Sequence, residues 1–276
     1  MKGVFNHNEF WKCYLGKKPG FREKDEKTGE FWDKMAEHYE SSSSRNTENN
    51  TRDFQHIDTR PGDTILDIGA GNGRLSVLMA SEAGFVTALD PSKGMLSMLD
   101  ANMKKAGLKN YKTICSRWED IPVPEDTGVH DIVVCSFALG FYDLRAALEK
   151  MDKAASRSVC LFWFAGRKHD DGLVPYIREL KGLETEAALP YPDYQYVINI
   201  LHEMDICADL SIETYDWKYP FESPDEAVEQ ALHFKKIGPE DREAAYGYYL
   251  DSLEEDEDGT LVLRTQADQA FIKWDK

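Results

Sequence analysis

The chain has 276 residues, 42% of them hydrophobic and 30% charged, which supplies enough apolar material for a sizeable folded core and excludes collagen, low-complexity disorder and a small disulfide-built module. Its 33 lysines and arginines face 50 aspartates and glutamates, and the resulting formal charge of −17 repels phosphate backbones and anionic lipid. Nucleic acid therefore falls to the back of the list of partners.

Met1 to His7 carries no apolar leader, and nowhere do about eighteen apolar residues run together as a membrane span requires. Cys13, Cys115, Cys135, Cys160 and Cys207 are widely spaced, with no CxxC pair and no zinc-like cluster, and the histidines form no metal-binding pattern. Cys115, Cys135 and Cys160 lie in apolar runs and read as reduced core thiols, so a cytoplasmic protein is expected, with no metal. Glu30 to Tyr39 reads as a helix with Phe31, Trp32, Met35 and Tyr39 near one face. Ser41 to Thr51, with four serines and three asparagines, reads as a loop or mobile segment, and Thr51 to Ile57 as a short helix.

From Pro61 the texture changes. Strands are predicted over 63–68, 85–90, 111–115, 131–135 and 158–164, and helices over 75–83, 92–106 and 143–154. This is the spacing of βαβ units, and it predicts an α/β fold with a mostly parallel central sheet and helices on both faces. After Phe164 the pattern gives helices over 170–183, 194–208, 223–234 and 239–255, with strands over 210–217, 260–264 and 267–274. The acidic run Glu254 to Asp258 reads as a solvated loop.

The strongest local signal is Leu66-Asp67-Ile68-Gly69-Ala70-Gly71-Asn72-Gly73-Arg74, where a strand ends, glycines turn the chain and a helix begins. Asp90, at the end of the next strand, is placed to accept hydrogen bonds from both hydroxyls of a ribose. A dinucleotide fingerprint needs its third glycine where Arg74 stands, and Asp67 beside the turn repels pyrophosphate. An acid there suits a cofactor without phosphate and with a cationic amino-acid end. The residues favour S-adenosyl-L-methionine over NAD.

This segment resembles motif I of the class I S-adenosylmethionine-dependent methyltransferases, and roughly residues 31–165 are similar to that superfamily's small-molecule members. The resemblance implies a Rossmann-like sandwich with a C-terminal cap-like elaboration. It implies that Asp67 starts motif I and that Gly69, Ala70, Gly71 and Gly73 lie along the methionine and ribose. Asp90 would hold the ribose hydroxyls and Pro91 would pack on the adenine. At the third strand end Arg117 stands where many relatives have an acid near the adenine amino group. Trp118 there is either a cover for the adenine or plain core, and Glu119 or Asp120 replaces the missing acceptor. The fourth strand end, Cys135 to Asp143, resembles motif IV without the Asn-Pro-Pro-Tyr or Asp-Pro-Pro-Tyr signature of nucleobase-amine methylators. Ser136 is its cofactor contact, and Phe141 and Tyr142 form an acceptor-pocket wall or pack in the core.

Methyl transfer from a sulfonium is an in-line displacement on an activated carbon and needs no protein nucleophile; alignment in a dry pocket supplies much of the rate. The catalytic candidates are Tyr39 at the active-site mouth, Tyr142 on the acceptor side and His202 as a general base, with His169 no better supported. Tyr191, Tyr194, Tyr196, Trp217 and Tyr246 offer aromatic surface for a cap. The division expected is 1–60 as helical segment and mobile loop covering the active site, 61–165 as cofactor core, and 166–276 as remaining strands with a substrate cap. The expected activity is methylation of a small-molecule acceptor by a monomer or homodimer. A cofactor-binding protein without turnover and a protein methyltransferase, drawn to basic partners by the acidic surface, are the alternatives.

Overall fold

The computed structural model describes residues 5–16, 28–166, 172–183, 193–235 and 237–276. The chain divides into two compact units, the first made of Met1–Ala165, Pro192–Glu213 and Gln269–Lys276, the second of Gly166–Tyr191 and Thr214–Asp268.

In the first unit three helices, α1 (His7–Gly16), α2 (Thr28–Arg45) and α3 (Thr47–Gln55), precede the sheet. The alternation then runs β1 (Thr64–Ile68), α4 (Ser76–Glu82), β2 (Phe85–Asp90), α5 (Lys93–Lys105), β3 (Tyr111–Cys115), β4 (His130–Ser136), α6 (Leu144–Ala154) and β5 (Ala155–Phe164). The strands lie in the order β3-β2-β1-β4-β5, all parallel. This is the α/β architecture the periodicity predicts. Helices start where a side chain replaces a missing backbone partner: Ser92 accepts from the Met95 N–H and Asp143 from the Ala146 N–H.

Alternate residues of each strand face opposite layers. Ile65, Val86, Ala88, Ile132, Val134, Cys160 and Phe162 point to one face and pack with Met79, Leu96, Leu99 and Met103 of α4 and α5. On that side α3 touches α4, and α2 touches α5; α6 lies against β4 and β5 and meets α1 and α8 (Tyr194–Glu203). Each fully buried Leu or Ile there contributes about 1.5–3 kcal/mol over an exposed one.

Three local expectations are corrected. Residues 41–45 and 47–51 are helical, broken only at Asn46, because Ser42, Ser43, Asn46, Asn49 and Asn50 are buried and hydrogen-bonded, as in Asn46 Nδ2 to the Ser42 carbonyl at 2.8 Å. Cys115 is exposed, since β3 is the edge strand, whereas Cys135 and Cys160 are buried. The two predicted C-terminal strands are one.

The second unit contains α7 (Leu173–Leu180), the distal part of β6 (Asp209–Phe221), α9 (Pro224–Phe234), α10 (Arg242–Ser252), β7 (Glu254–Glu255) and the first half of β8 (Leu261–Asp275). Part of the acidic run is thus strand, with Glu254 opposite Val262 and Glu255 opposite Leu261. Leu173, Ile177, Phe221, Val228, Tyr249 and Leu263 form this unit's own core. The last residues of β8 belong to the first unit and pair antiparallel with β5, from Phe164 opposite Gln269 to Ser158 opposite Asp275.

Candidate functional site

Gly69, Gly71 and Gly73 all have positive φ, at 72°, 55° and 83°. The turn is tied to β2 by the Gly69 and Ala70 N–H groups, which donate to the Leu89 carbonyl at 2.8 and 3.0 Å. A side chain on Gly69 would collide with Ala138, only 2.3 Å from the position of its Cβ. Gly71 differs: its Cβ would meet nothing nearer than Tyr39 Cε1 at 3.9 Å, so the absent side chain leaves a cradle between the turn and that ring.

Asp90 closes the turn. Its Oδ2 accepts from the Gly71 N–H at 2.9 Å and its Oδ1 from the Ser92 N–H at 2.8 Å. Burial pushes this carboxyl above its ordinary value, against the pull of those two N–H groups, and nearby Asp33 adds to the rise.

Helix α2 brings three further side chains to the turn. Asp33 accepts from Ser92 Oγ at 2.6 Å and from the Gly94 N–H at 2.7 Å, which lowers its pKa and places negative charge at the start of α5. Glu40 accepts from Asn72 Nδ2 at 2.6 Å and from Asn102 Nδ2 at 3.1 Å. Tyr39 lies beside Gly71, with Trp32 edge-on to it at 6.1 Å.

Beneath the turn is a buried ionic network. Arg74 donates to Asp53 Oδ2 at 2.7 Å, to Asn50 Oδ1 at 3.1 Å and to Ser136 Oγ at 2.5 Å, while Asp53 Oδ1 accepts from Gln269 at 2.7 Å. Burial disfavours the Arg74 charge, but Asp53, Tyr39 and Asp67 outweigh it and hold the guanidinium above its ordinary value. The ring of Phe137, a bulky residue at φ 54°, lies 5.9 Å from the guanidinium carbon. Asp67 accepts from Ser76 Oγ at 2.5 Å, and burial pushes its carboxyl up to about 6.

That last shift has a consequence for stability. A carboxyl that holds its proton more tightly when folded costs nothing below about pH 4 and its full penalty above about pH 6. Asp67→Asn removes the penalty while keeping an acceptor for Ser76. From pH 4 to pH 7 the stability of Asp67→Asn relative to the wild type is expected to rise by up to about 3 kcal/mol. Urea denaturation of both proteins at the two pH values checks this, and an unchanged difference refutes it.

Among the residues singled out from sequence, Tyr39, Asp67, Gly69, Ala70, Gly71, Gly73, Asp90 and Ser136 gather around this turn. Pro91 follows Asp90, and its carbonyl accepts from Cys115. Glu119 pairs with Arg117 at 2.8 Å, so each neutralises the other. Trp118 is buried against α6, its Nε1 donating to the Ala147 carbonyl at 3.3 Å and Lys150 Nζ standing 4.5 Å over its ring. Tyr142 lies beside α1, with Lys12 Nζ 5.9 Å from its ring, next to Phe141, whose carbonyl receives the Trp11 indole at 2.7 Å. His202 is exposed on α8, on the side of the sheet where α1 and α6 lie. Tyr196 is near Trp11, Trp217 near Tyr219, and Tyr246 is on the outside of α10; Tyr191 and His169 fall outside the described residues. Sequence reasoning missed Asp33, Glu40, Asn50, Asp53, Asn72 and Gln269, and read Arg74 only as a break in a dinucleotide pattern. The helical spacing of Ser42, Asn46, Asn49, Asn50 and Asp53 was the available signal, one polar face in place of a loop.

Residues 65–157 match the family described as a methyltransferase domain. An uncharacterized protein of Haemophilus influenzae is 30% identical over 190 residues, 66% of each chain. A demethylmenaquinone methyltransferase of Symbiobacterium thermophilum is 32% identical over 118 residues, 40% of this chain and 47% of that one. The chain thus spans about half the length of this named relative. The solved structure of the YcgJ protein of Bacillus subtilis aligns with a TM-score of 0.53 at 16% identity, over 83% of this chain and 98% of its own. Residues 65–157 thus carry a methyltransferase domain, within a fold of the class I S-adenosylmethionine-dependent methyltransferase type. The methyltransferase domain match takes in the glycine turn, Asp90 and Ser136. Asp53, which neutralises Arg74, Asn50, which accepts from it, and Gln269, which donates to Asp53, come from outside the matched stretch. No helix among the described residues is long and apolar enough to cross a membrane.

Proposed function

We propose that this chain binds S-adenosylmethionine at the glycine turn and transfers its methyl group to a small-molecule acceptor. The observation that carries the reading is the Gly71 cradle beside Asp90. A ribose needs a buried acceptor with lone pairs left after its structural hydrogen bonds, and each Asp90 oxygen accepts a single backbone N–H. Two buried carboxyls, Asp67 and Asp90, both pushed upward, suit a ligand that brings positive charge rather than phosphate. When bound, this cofactor supplies an activated methyl on a sulfonium.

The chain's own residues then have separable tasks. Asp90 holds the ribose, Gly69 to Gly73 let the backbone approach the ligand, and Pro91 borders the adenine side. Tyr39 and α2 keep water from the turn. Ser136, fixed by Arg74, and Tyr142 face the acceptor side. This reading uses neither Trp118 nor His202, whose placement favours packing and surface roles. A small-molecule acceptor also fits the demethylmenaquinone methyltransferase relative, whose name specifies one.

The test is to incubate the full chain and methyl-tritiated S-adenosylmethionine with a protein-free small-molecule extract, and separately with a small-molecule-free protein extract. Label in the low-mass products is the expected result. Label only in protein overturns the acceptor class, and cofactor binding without any transfer supports a protein that binds and does not turn over.

A further inference from the structure

We infer that the second unit carries a docking groove for a basic polypeptide segment, in which α9 and the start of α10 receive a lysine or arginine side chain. The inference is independent of the methyl-transfer reading. Segments 166–191 and 214–268 hold 20 acidic residues against 9 basic ones, so this unit carries −11 of the chain's −17. Acidity alone gives solubility. Here it coincides with a groove and an uncovered apolar stripe.

The groove, of about 390 Å³, is lined by Asp225 and Val228 of α9, by Pro239, and by Glu243 and Tyr246 of α10. Two other lining charges are already matched, Arg242 by Glu229 at 2.7 Å and Glu240 by Lys181 at 3.8 Å. Asp225 and Glu243 are exposed and make no ion pair among the described residues. Tyr246, 38% exposed, lines the same groove, and one turn further along α10 is Leu250, 59% exposed. Glu243, Tyr246 and Leu250 follow i, i+3, i+7 spacing and share one helix face.

Two exposed carboxylates beside an aromatic ring favour a cation, through charge and through the ring quadrupole, although Asp225 already acts on the Arg242 charge. The groove's size suits one long basic side chain, its aliphatic stem on the exposed Pro239, with a neighbouring apolar residue covering Tyr246 and Leu250. A second copy of this chain is a poor occupant, because a two-fold contact through this face would set Asp225 and Glu243 against like charges.

The test measures the affinity of the full chain for a Lys-Leu-Gly-repeat peptide by fluorescence anisotropy, with Gln in place of every Lys as the neutral control. The paired variant Asp225→Asn/Glu243→Gln is compared with Glu255→Gln/Glu257→Gln, which removes the same charge from exposed positions after α10. The groove pair is expected to weaken binding at least about tenfold and the control pair less than about twofold. Tyr246→Ala, with no change of charge, is expected to weaken it about fivefold. All variants should melt within a few degrees of the wild type, since the altered side chains are exposed. Equal losses from the two charge-removing pairs, or wild-type affinity in Tyr246→Ala, would reduce the effect to a diffuse field and overturn the inference. A wild-type dimer that Tyr246→Ala dissociates would assign the face to a second copy and overturn it too.

Discussion

Asp90→Ala is expected to weaken S-adenosylhomocysteine binding by at least about a hundredfold. Two losses act at one place. A charged acceptor shared by two ribose hydroxyls contributes about 1.5–3 kcal/mol per hydrogen bond. The same carboxylate also holds the Gly71 and Ser92 N–H groups at 2.9 and 2.8 Å, so its removal loosens the turn that cradles the ligand. Asp90→Asn keeps one acceptor oxygen but turns an N–H donor toward a backbone N–H, and an intermediate loss is expected. Stability should change little by comparison, because burial already raises the Asp90 pKa and the wild type carries a desolvation cost at neutral pH. Calorimetric binding with parallel melting curves separates the two effects. Binding within threefold of the wild type would exclude Asp90 as the ribose acceptor.

Asp53→Ala is expected to cost about 3–5 kcal/mol of folding stability, because it strands a buried guanidinium. The side chains of Arg74 and Asp53 are only 7% and 3% exposed, and the other Arg74 partners, Asn50 and Ser136, are uncharged. Gln269 loses its acceptor as well, which joins the loss in α3 to the last strand. Asp53→Leu combined with Arg74→Met removes both charges, and that double variant is expected to be more stable than Asp53→Ala alone. Urea denaturation gives both values. A loss below about 1 kcal/mol for Asp53→Ala would mean that water reaches the guanidinium and that the network is not the tie beneath the turn.

The alternating core was legible because a strand buried on both faces is a short apolar run and a helix packed on it has a longer period. Ile65 to Ile68 and Ile132 to Cys135 meet that condition at the centre of the sheet. The glycine turn and Asp90 were legible for a different reason, since positive φ and a strand-end acid leave marks in composition. Residues 41–51 were misread because their helical face is polar and buried, so hydrophobic periodicity was silent there. Asp53 and Asn50 are buried because Arg74 is beneath them, 21 and 24 residues away respectively, and no local pattern encodes that distance. Trp118 could not be assigned from spacing either. A tryptophan at a strand end looks the same in sequence whether it covers a ligand or, as here, has its Nε1 on the Ala147 carbonyl.

The most direct measurement of the central claim is isothermal titration calorimetry of the full chain with S-adenosylhomocysteine and, separately, with NAD. Saturable binding of S-adenosylhomocysteine at one site per chain, with no binding heat from NAD, is the expected result. Saturable NAD binding with no response to S-adenosylhomocysteine would contradict it.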